Sequence, residues 1–184
     1  VLSLYPQNAL STTGVVADKT LAALSALDWH PQTKLVGYYS AHLLYLEAIA
    51  ASIRAAGFDS SAGDKLLFAF HSIPVRDIRN GDDYEDKARA TANAVARLLE
   101  LDVQDWALGF QCRFDKARSW LDPFIPEALQ TLGAPRGRLF VVAPNFRSIA
   151  LKRSTTSISS CANKYVKTCL TDRKRPLRLC ALFE

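Results

Sequence analysis

Residues 66–74 read Leu-Leu-Phe-Ala-Phe-His-Ser-Ile-Pro, a short apolar run closed by one histidine and, three residues later, a proline. Such a run is too short to span a bilayer, and it has the length of a strand buried on both faces, as the strands of parallel sheets are. Proline cannot donate to a ladder, so the strand is expected to end before or at Pro74. That puts His71 at the carboxyl end of a parallel strand, where open α/β sheets build their ligand crevices. On position alone, the plainer account of His71 is a half-buried histidine satisfied by a backbone carbonyl.

The rest of the body alternates strand and helix patterns, as βαβ units do. Strands are predicted over Lys34–Tyr38, Leu66–Phe70, Trp106–Cys112 and Leu139–Ala143. Between them, helices are predicted over His42–Ala56, Asp83–Leu99 and Pro126–Leu132. In the first of these, Leu43, Leu44, Leu46, Ile49, Ala50 and Ile53 recur at helical spacing, and Gly57 fits a helix stop. Ala88, Ala92, Val95, Ala96 and Leu99 form the stripe of the second. The expected fold is α/β, a parallel sheet flanked by helices. No segment is apolar for long enough to cross a bilayer.

Composition narrows the class further. Hydrophobic residues make up 49% of the 184, ordinary for a globular chain. Four cysteines, three of them in the last 24 residues, show no C-x-x-C spacing for zinc or a redox centre and read as free thiols in a reducing compartment. Val1-Leu2-Ser3-Leu4 reads like the end of a strand rather than a signal peptide, and the front of the protein is expected to be missing. The net charge of +5 is unevenly placed: residues 150–184 hold eight basic side chains against two acidic, and the other 149 hold 15 against 16. The basicity belongs to the tail.

Several blocks surround the histidine in a fixed order. Leu4-Tyr5-Pro6-Gln7 and Ser11-Thr12-Thr13-Gly14 precede it; Gly81-Asp82-Asp83-Tyr84 follows and opens a long helix. Gly109-Phe110-Gln111-Cys112-Arg113-Phe114 and Trp120-Leu121-Asp122-Pro123 come after that helix. Together, from about Val1 to Phe146, these blocks resemble ferrochelatases, which insert ferrous iron into a porphyrin. The resemblance implies a Rossmann-like, chelatase-type sheet in a partial two-half architecture. Residues 1–58 would be the end of the first half, 59–146 the main part of the second, and 147–184 a basic tail foreign to the family and expected to be disordered.

Metalation of a porphyrin requires two pyrrole N–H protons to leave as the metal enters. An imidazole suits that task near neutral pH, and it is also an acceptable ligand for ferrous iron. By resemblance, His71 matches the family's active-site histidine, as proton acceptor or metal ligand; the residues leave both open. Trp120 matches a tryptophan at the pocket lip, where plain core packing accounts for it equally well. Gln111 matches a polar residue lining the cleft, with Cys112 in place of the more usual serine. Tyr5 and Ser11 match pocket-side positions, for which turn structure is the competing account. The Gly81–Tyr84 block is expected to cap its helix through Asp82 or Asp83, without a catalytic role. His30 and His42 read as surface or packing residues.

The resemblance implies porphyrin and ferrous iron as substrates, a cytoplasmic setting, and a monomer or homodimer, with peripheral membrane contact compatible with it. No further cofactor is expected. The iron–sulfur cluster of some members needs a cysteine where Leu10 stands, and the tail cysteines lie eight and eleven residues apart. Nor does a phosphate-binding glycine loop appear.

After Phe146 the helical pattern expected of the family, with its acidic D-x-x-E-T-L motif, is replaced by Ser154–Ser160 and the basic Arg173-Lys174-Arg175-Pro176. Lys152 and Arg153 fall where acidity is expected, and a cation there would repel ferrous iron. A frame slip accounts for this. Ile149–Ile158 can be encoded ATT GCC TTG AAA CGC TCT ACG ACA TCA ATC. With one G taken from the Ser148 codon, the shifted frame reads D-C-L-E-T-L-Y-D-I-N. Residues from about 147 onward are therefore expected to be out-of-frame translation, and the chain as it stands to be inactive or severely impaired. A naturally basic tail is the alternative.

Two other functions compete. A chelatase loading cobalt or nickel into another tetrapyrrole would share the fold and the histidine, but the Phe110-Gln111 and Trp120-Leu121 blocks favour ferrochelatase. A non-catalytic protein binding RNA or membrane through its basic tail is the other; sparse aromatic residues there, Tyr165 and Phe183, argue against nucleic acid.

Overall fold

The computed structural model describes residues 1–29, 31–111, 113, 115–145 and 180–181. Its centre is a parallel sheet. Strand β1 (Lys65–Phe70) lies between β2 (Trp106–Phe110) and β3 (Leu139–Val142), and β4 (Cys180–Ala181) lines the far side of β3, giving the order β2-β1-β3-β4. The register pairs Phe68 with Leu108 on one side and with Val142 on the other. Being central, β1 needs cover on both faces, and its five apolar residues are all buried.

Side chains alternate across the sheet and so divide the core in two. Leu66, Phe68 and Phe70 point with Phe140 and Val142 toward helices α2 (Leu43–Ala55) and α4 (Tyr84–Leu98). Those helices answer with Leu46, Ile49, Ala50 and Ile53, and with Ala88, Ala92, Val95 and Ala96. Leu67 and Ala69 point the other way, with Leu139 and Val141, onto Ile125, Ala128 and Leu132 of α5 (Ile125–Leu132). Gly109 lets α5 come that close: a Cβ there would stand 3.0 Å from both Ala128 Cβ and Ile125 Cα. At the amino-terminal end, buried Asp64 accepts from the Arg138 backbone N–H and guanidinium, both at 2.6 Å, which locks the entries of β1 and β3 together.

The predicted core elements stand, with ends shifted by a residue or two. Trp106–Cys112 ends at Phe110, and Leu139–Ala143 ends at Val142. The strand expected over Lys34–Tyr38 does not form. One parallel bridge, Leu2 to Val36, is all that remains of it, because Val1–Ser3 is its sole neighbour among the described residues and no third strand completes a ladder. Two helices come unforeseen: α1 (Val15–Ser25), entered through a π-helical turn over Leu10–Gly14, and the short α3 (Val75–Arg79). Pro74 lies beyond the strand end and serves as the residue before α3. Helix α2 shares one apolar cluster with β1 and α4. His30, Cys112, Phe114, Phe146, the D-x-x-E-T-L region and the rest of the tail, Cys180–Ala181 apart, lie outside the described residues.

Candidate active site at the strand tips

The backbone turns away from β1 directly after Phe70, so His71 occupies the carboxyl tip of the central strand and is half-buried. Two contacts hold that tip through its main chain, and a third braces one of them. The Gln111 N–H donates to the Phe70 carbonyl at 2.7 Å, fastening the tip of β2 alongside. The Tyr84 hydroxyl, from the first turn of α4, donates to the His71 carbonyl at 3.0 Å. Asn145, just past β3, donates its Nδ2 to the same hydroxyl at 3.2 Å. The tips of β1, β2 and β3 thus meet at His71, β2 through the Gln111 N–H and β3 through Asn145 and Tyr84.

Burial lowers the affinity of the His71 imidazole for a proton, so its neutral form is favoured beyond what an exposed histidine shows. Burial raises the Tyr84 hydroxyl far above its ordinary value, against the opposing pull of its bonds to Asn145 and the His71 backbone, so it remains a donor. Tyr45 is raised likewise by burial and donates to the Pro144 carbonyl.

The segment 71–75 runs against 119–121. Leu121 N–H donates to the Ile73 carbonyl at 3.0 Å, Val75 N–H to Ser119 at 2.9 Å, and the Ser72 hydroxyl to the Leu121 carbonyl at 3.0 Å. Pro74 and Trp120 form an antiparallel bridge. Trp120 is therefore brought close along the chain to the histidine. It is buried, its indole N–H bonds the Asp115 carbonyl at 3.2 Å, and the Arg118 guanidinium lies over its ring at 5.1 Å. Gln111 flanks the tip; its side-chain nitrogen is buried without a hydrogen-bond acceptor among the described residues.

Tyr5 and Ser11 are exposed and belong to a neighbouring surface. Their segment is fixed to α4 by other residues: buried Gln7 donates to Thr91 at 3.1 Å, and the Leu10 N–H donates to Asp82 at 2.7 Å. Asp82, one residue before the helix cap, also accepts the Tyr84 N–H at 3.0 Å, so it holds the first turn of α4 and moors the π-helical turn at once. Asp83 stands at the helix start and pairs with Lys87 instead. A groove of about 210 Å³ runs there, lined by Ala9, Leu10, Thr13, Ala17, Gly37 and Asp82 among others; none of the five predicted site residues lines it.

No group of three or more histidine, cysteine or acidic side chains gathers as a metal cage among the described residues. No described helix is long and apolar enough to cross a membrane. Sequence reasoning missed Tyr84 and Asn145, the two residues that brace the histidine. The one available signal was Tyr84 in the block after His71, an aromatic hydroxyl at the start of an otherwise polar helical turn.

A family model described as Ferrochelatase matches residues 1–150. The chain is 38% identical over 153 residues to the ferrochelatase of Thioalkalivibrio sulfidiphilus, covering 83% of this chain and 41% of that protein. To the ferrochelatase of Methylococcus capsulatus it is 39% identical over 147 residues, covering 79% and 45% respectively. The ferrochelatase of Aeromonas hydrophila matches at 37% over 153 residues, covering 83% and 47%. The chain thus spans less than half the length of these curated relatives. With a parallel sheet, a histidine at its central tip and a family match over 150 of its 184 residues, the chain belongs to the ferrochelatase family.

Proposed function

We propose that this chain carries the histidine-bearing part of an enzyme that inserts ferrous iron into a porphyrin. The observation that carries this reading is the placement of His71, half-buried at the tip of the central strand within the family-matched span. Burial keeps the imidazole neutral, the form able to accept a pyrrole proton or to donate a lone pair to iron. Two protons must leave the macrocycle for each iron that enters, and a strongly basic, already protonated group could take neither. Gln111 and Trp120 flank the tip and would line the macrocycle's seat. Tyr5 and Ser11 would line it from the neighbouring surface. Porphyrin and ferrous iron are substrates here, with no resident cofactor and no iron–sulfur cluster, and the setting is the cytoplasm.

This chain alone is expected to insert no measurable iron, because it spans less than half of its relatives and holds no acidic partner for His71 in the D-x-x-E-T-L position. Sequencing codons 146–152 of the gene tests the frame-slip account, which fails if the codons do not permit the shifted reading. In the full-length, frame-restored parent, anaerobic iron insertion is expected for protoporphyrin or coproporphyrin. There His71→Ala should lower kcat by about a hundredfold or more, the usual worth of a proton-transferring side chain. A variant retaining more than roughly a tenth of the rate would overturn the role given to His71.

A further inference from the structure

We propose that Tyr84 is a positioning residue for iron insertion: it aims the His71 imidazole by holding the peptide of that residue, and Asn145 acts through it. The proposal rests on the role given to His71 above.

The direction in which a side chain leaves the backbone follows from the two peptide planes that flank its residue. Both planes around His71 are held. The plane before it carries the Phe70 carbonyl, which accepts from the Gln111 N–H at 2.7 Å. That bond continues the parallel ladder of β1 and β2 and would hold any strand end. The plane after it carries the His71 carbonyl, which accepts from the Tyr84 hydroxyl at 3.0 Å. This second bond comes from a side chain of α4, where the ladder has already stopped. Further on, Ser72 and Ile73 are tied to Leu121, so the Tyr84 bond falls where the chain turns at the reactive residue itself.

Tyr84 is in turn held at both ends. Its backbone N–H donates to Asp82 at 3.0 Å, and its hydroxyl accepts from the Asn145 amide at 3.2 Å. Tyr84 and Asn145 are each more than nine-tenths buried. A hydroxyl that accepts one bond while donating another is polarised, and a dry interior strengthens both. Packing alone does not ask for an oxygen here, because phenylalanine would fill the same space without burying a polar atom. Proton transfer and metal ligation need reacting atoms within about 3 Å, and a misplacement of about 1 Å can cost on the order of a hundredfold. A bond that fixes the peptide of His71 therefore bears on the rate.

In the full-length, frame-restored parent, Tyr84→Phe should lower kcat about tenfold and leave KM for porphyrin within about twofold. Asn145→Ala should lower kcat about threefold, and should add nothing once Tyr84 is replaced. In a His71→Ala background, Tyr84→Phe should change the remaining rate by less than about twofold, which a merely structural role would not predict. On this chain, carbon-13 relaxation of the His71 ring should show an order parameter lower by about 0.2 or more in Tyr84→Phe, with His42 unmoved. If Tyr84→Phe does not fold, Asn145→Ala carries the same tests with smaller changes in the same directions. An unchanged His71 ring overturns the proposal, as does a rise in KM alone or an equal loss in the His71→Ala background. Unchanged kcat in Tyr84→Phe beside a slow His71→Ala overturns this proposal alone. A His71→Ala parent that keeps its rate overturns the reading of His71 and this proposal with it.

Discussion

Residues 65–145 and residues 1–44 are both rich in apolar side chains, yet they end in opposite states. In the first, every apolar side chain of β1 has a partner: α2 and α4 on one face, α5 on the other. In the second, extended chain and helix form but bury little, and α1 buries nothing. Hydrophobic content therefore does not decide burial here; the number of covered faces does. A parallel strand stands when both faces are capped, and where the described residues supply no second cap one bridge stands in place of a ladder.

The contrast is most directly broken by truncating the covered strand. Phe68 is fully buried against Trp106, with ring centroids 5.6 Å apart. Phe68→Ala should cost about 3–5 kcal/mol in urea unfolding, enough to abolish the transition in a marginal domain. A loss below about 1 kcal/mol would mean that the sheet is as loosely held as residues 1–44.

Next in size is the Asp64–Arg138 pair. Burial alone would raise the Asp64 carboxyl, but the Arg138 side-chain and backbone hydrogen bonds outweigh it and hold the group below the usual carboxylate range. A carboxyl lowered on folding stabilises fully above its unfolded value, near 3.9, and loses that contribution as pH falls through the folded value. Asp64→Asn should cost about 2 kcal/mol near neutral pH, with Arg138 partly exposed and therefore partly screened. It should also flatten the fall of stability at acid pH, read from urea midpoints between pH 2 and 6.

Smaller again is Tyr84→Phe, which leaves the His71 carbonyl without its donor and the Asn145 amide without its acceptor. A loss of about 1–3 kcal/mol is expected, with a shift of the His71 ring signals in a carbon–proton correlation spectrum and none at His42. The smallest effect belongs to the uncovered region. Trp29→Ser at low protein concentration should leave stability within about 0.5 kcal/mol, and a larger loss would show that this stretch buries more than its exposure indicates.

Much of the covered region was legible because its signals are local. A run of five apolar residues announces β1, helical spacing announces α2 and α4, and a histidine before a proline marks the strand tip. What escaped depends on distant partners. The Lys34–Tyr38 stretch has the pattern of a strand, but a pattern cannot say whether a ladder awaits it. Helix α1 has no buried stripe to betray it, and its β-branched Val15 and Val16 weaken the local signal. Tyr84 and Asn145 lie 13 and 74 positions from His71, and only the parallel crossovers bring them to it. Tyr5 and Ser11 were read from a resemblance of blocks; it is their neighbours Gln7 and Leu10 whose anchoring the fold displays.

The bonds at the strand tip grip peptide carbonyls at positions 70 and 71, so the path of the main chain there is fixed by β2 and α4 from outside the histidine's own turn. A strand tip pinned by its peptide groups from two neighbouring elements has little freedom to swing, so whatever approaches position 71 meets it from one direction.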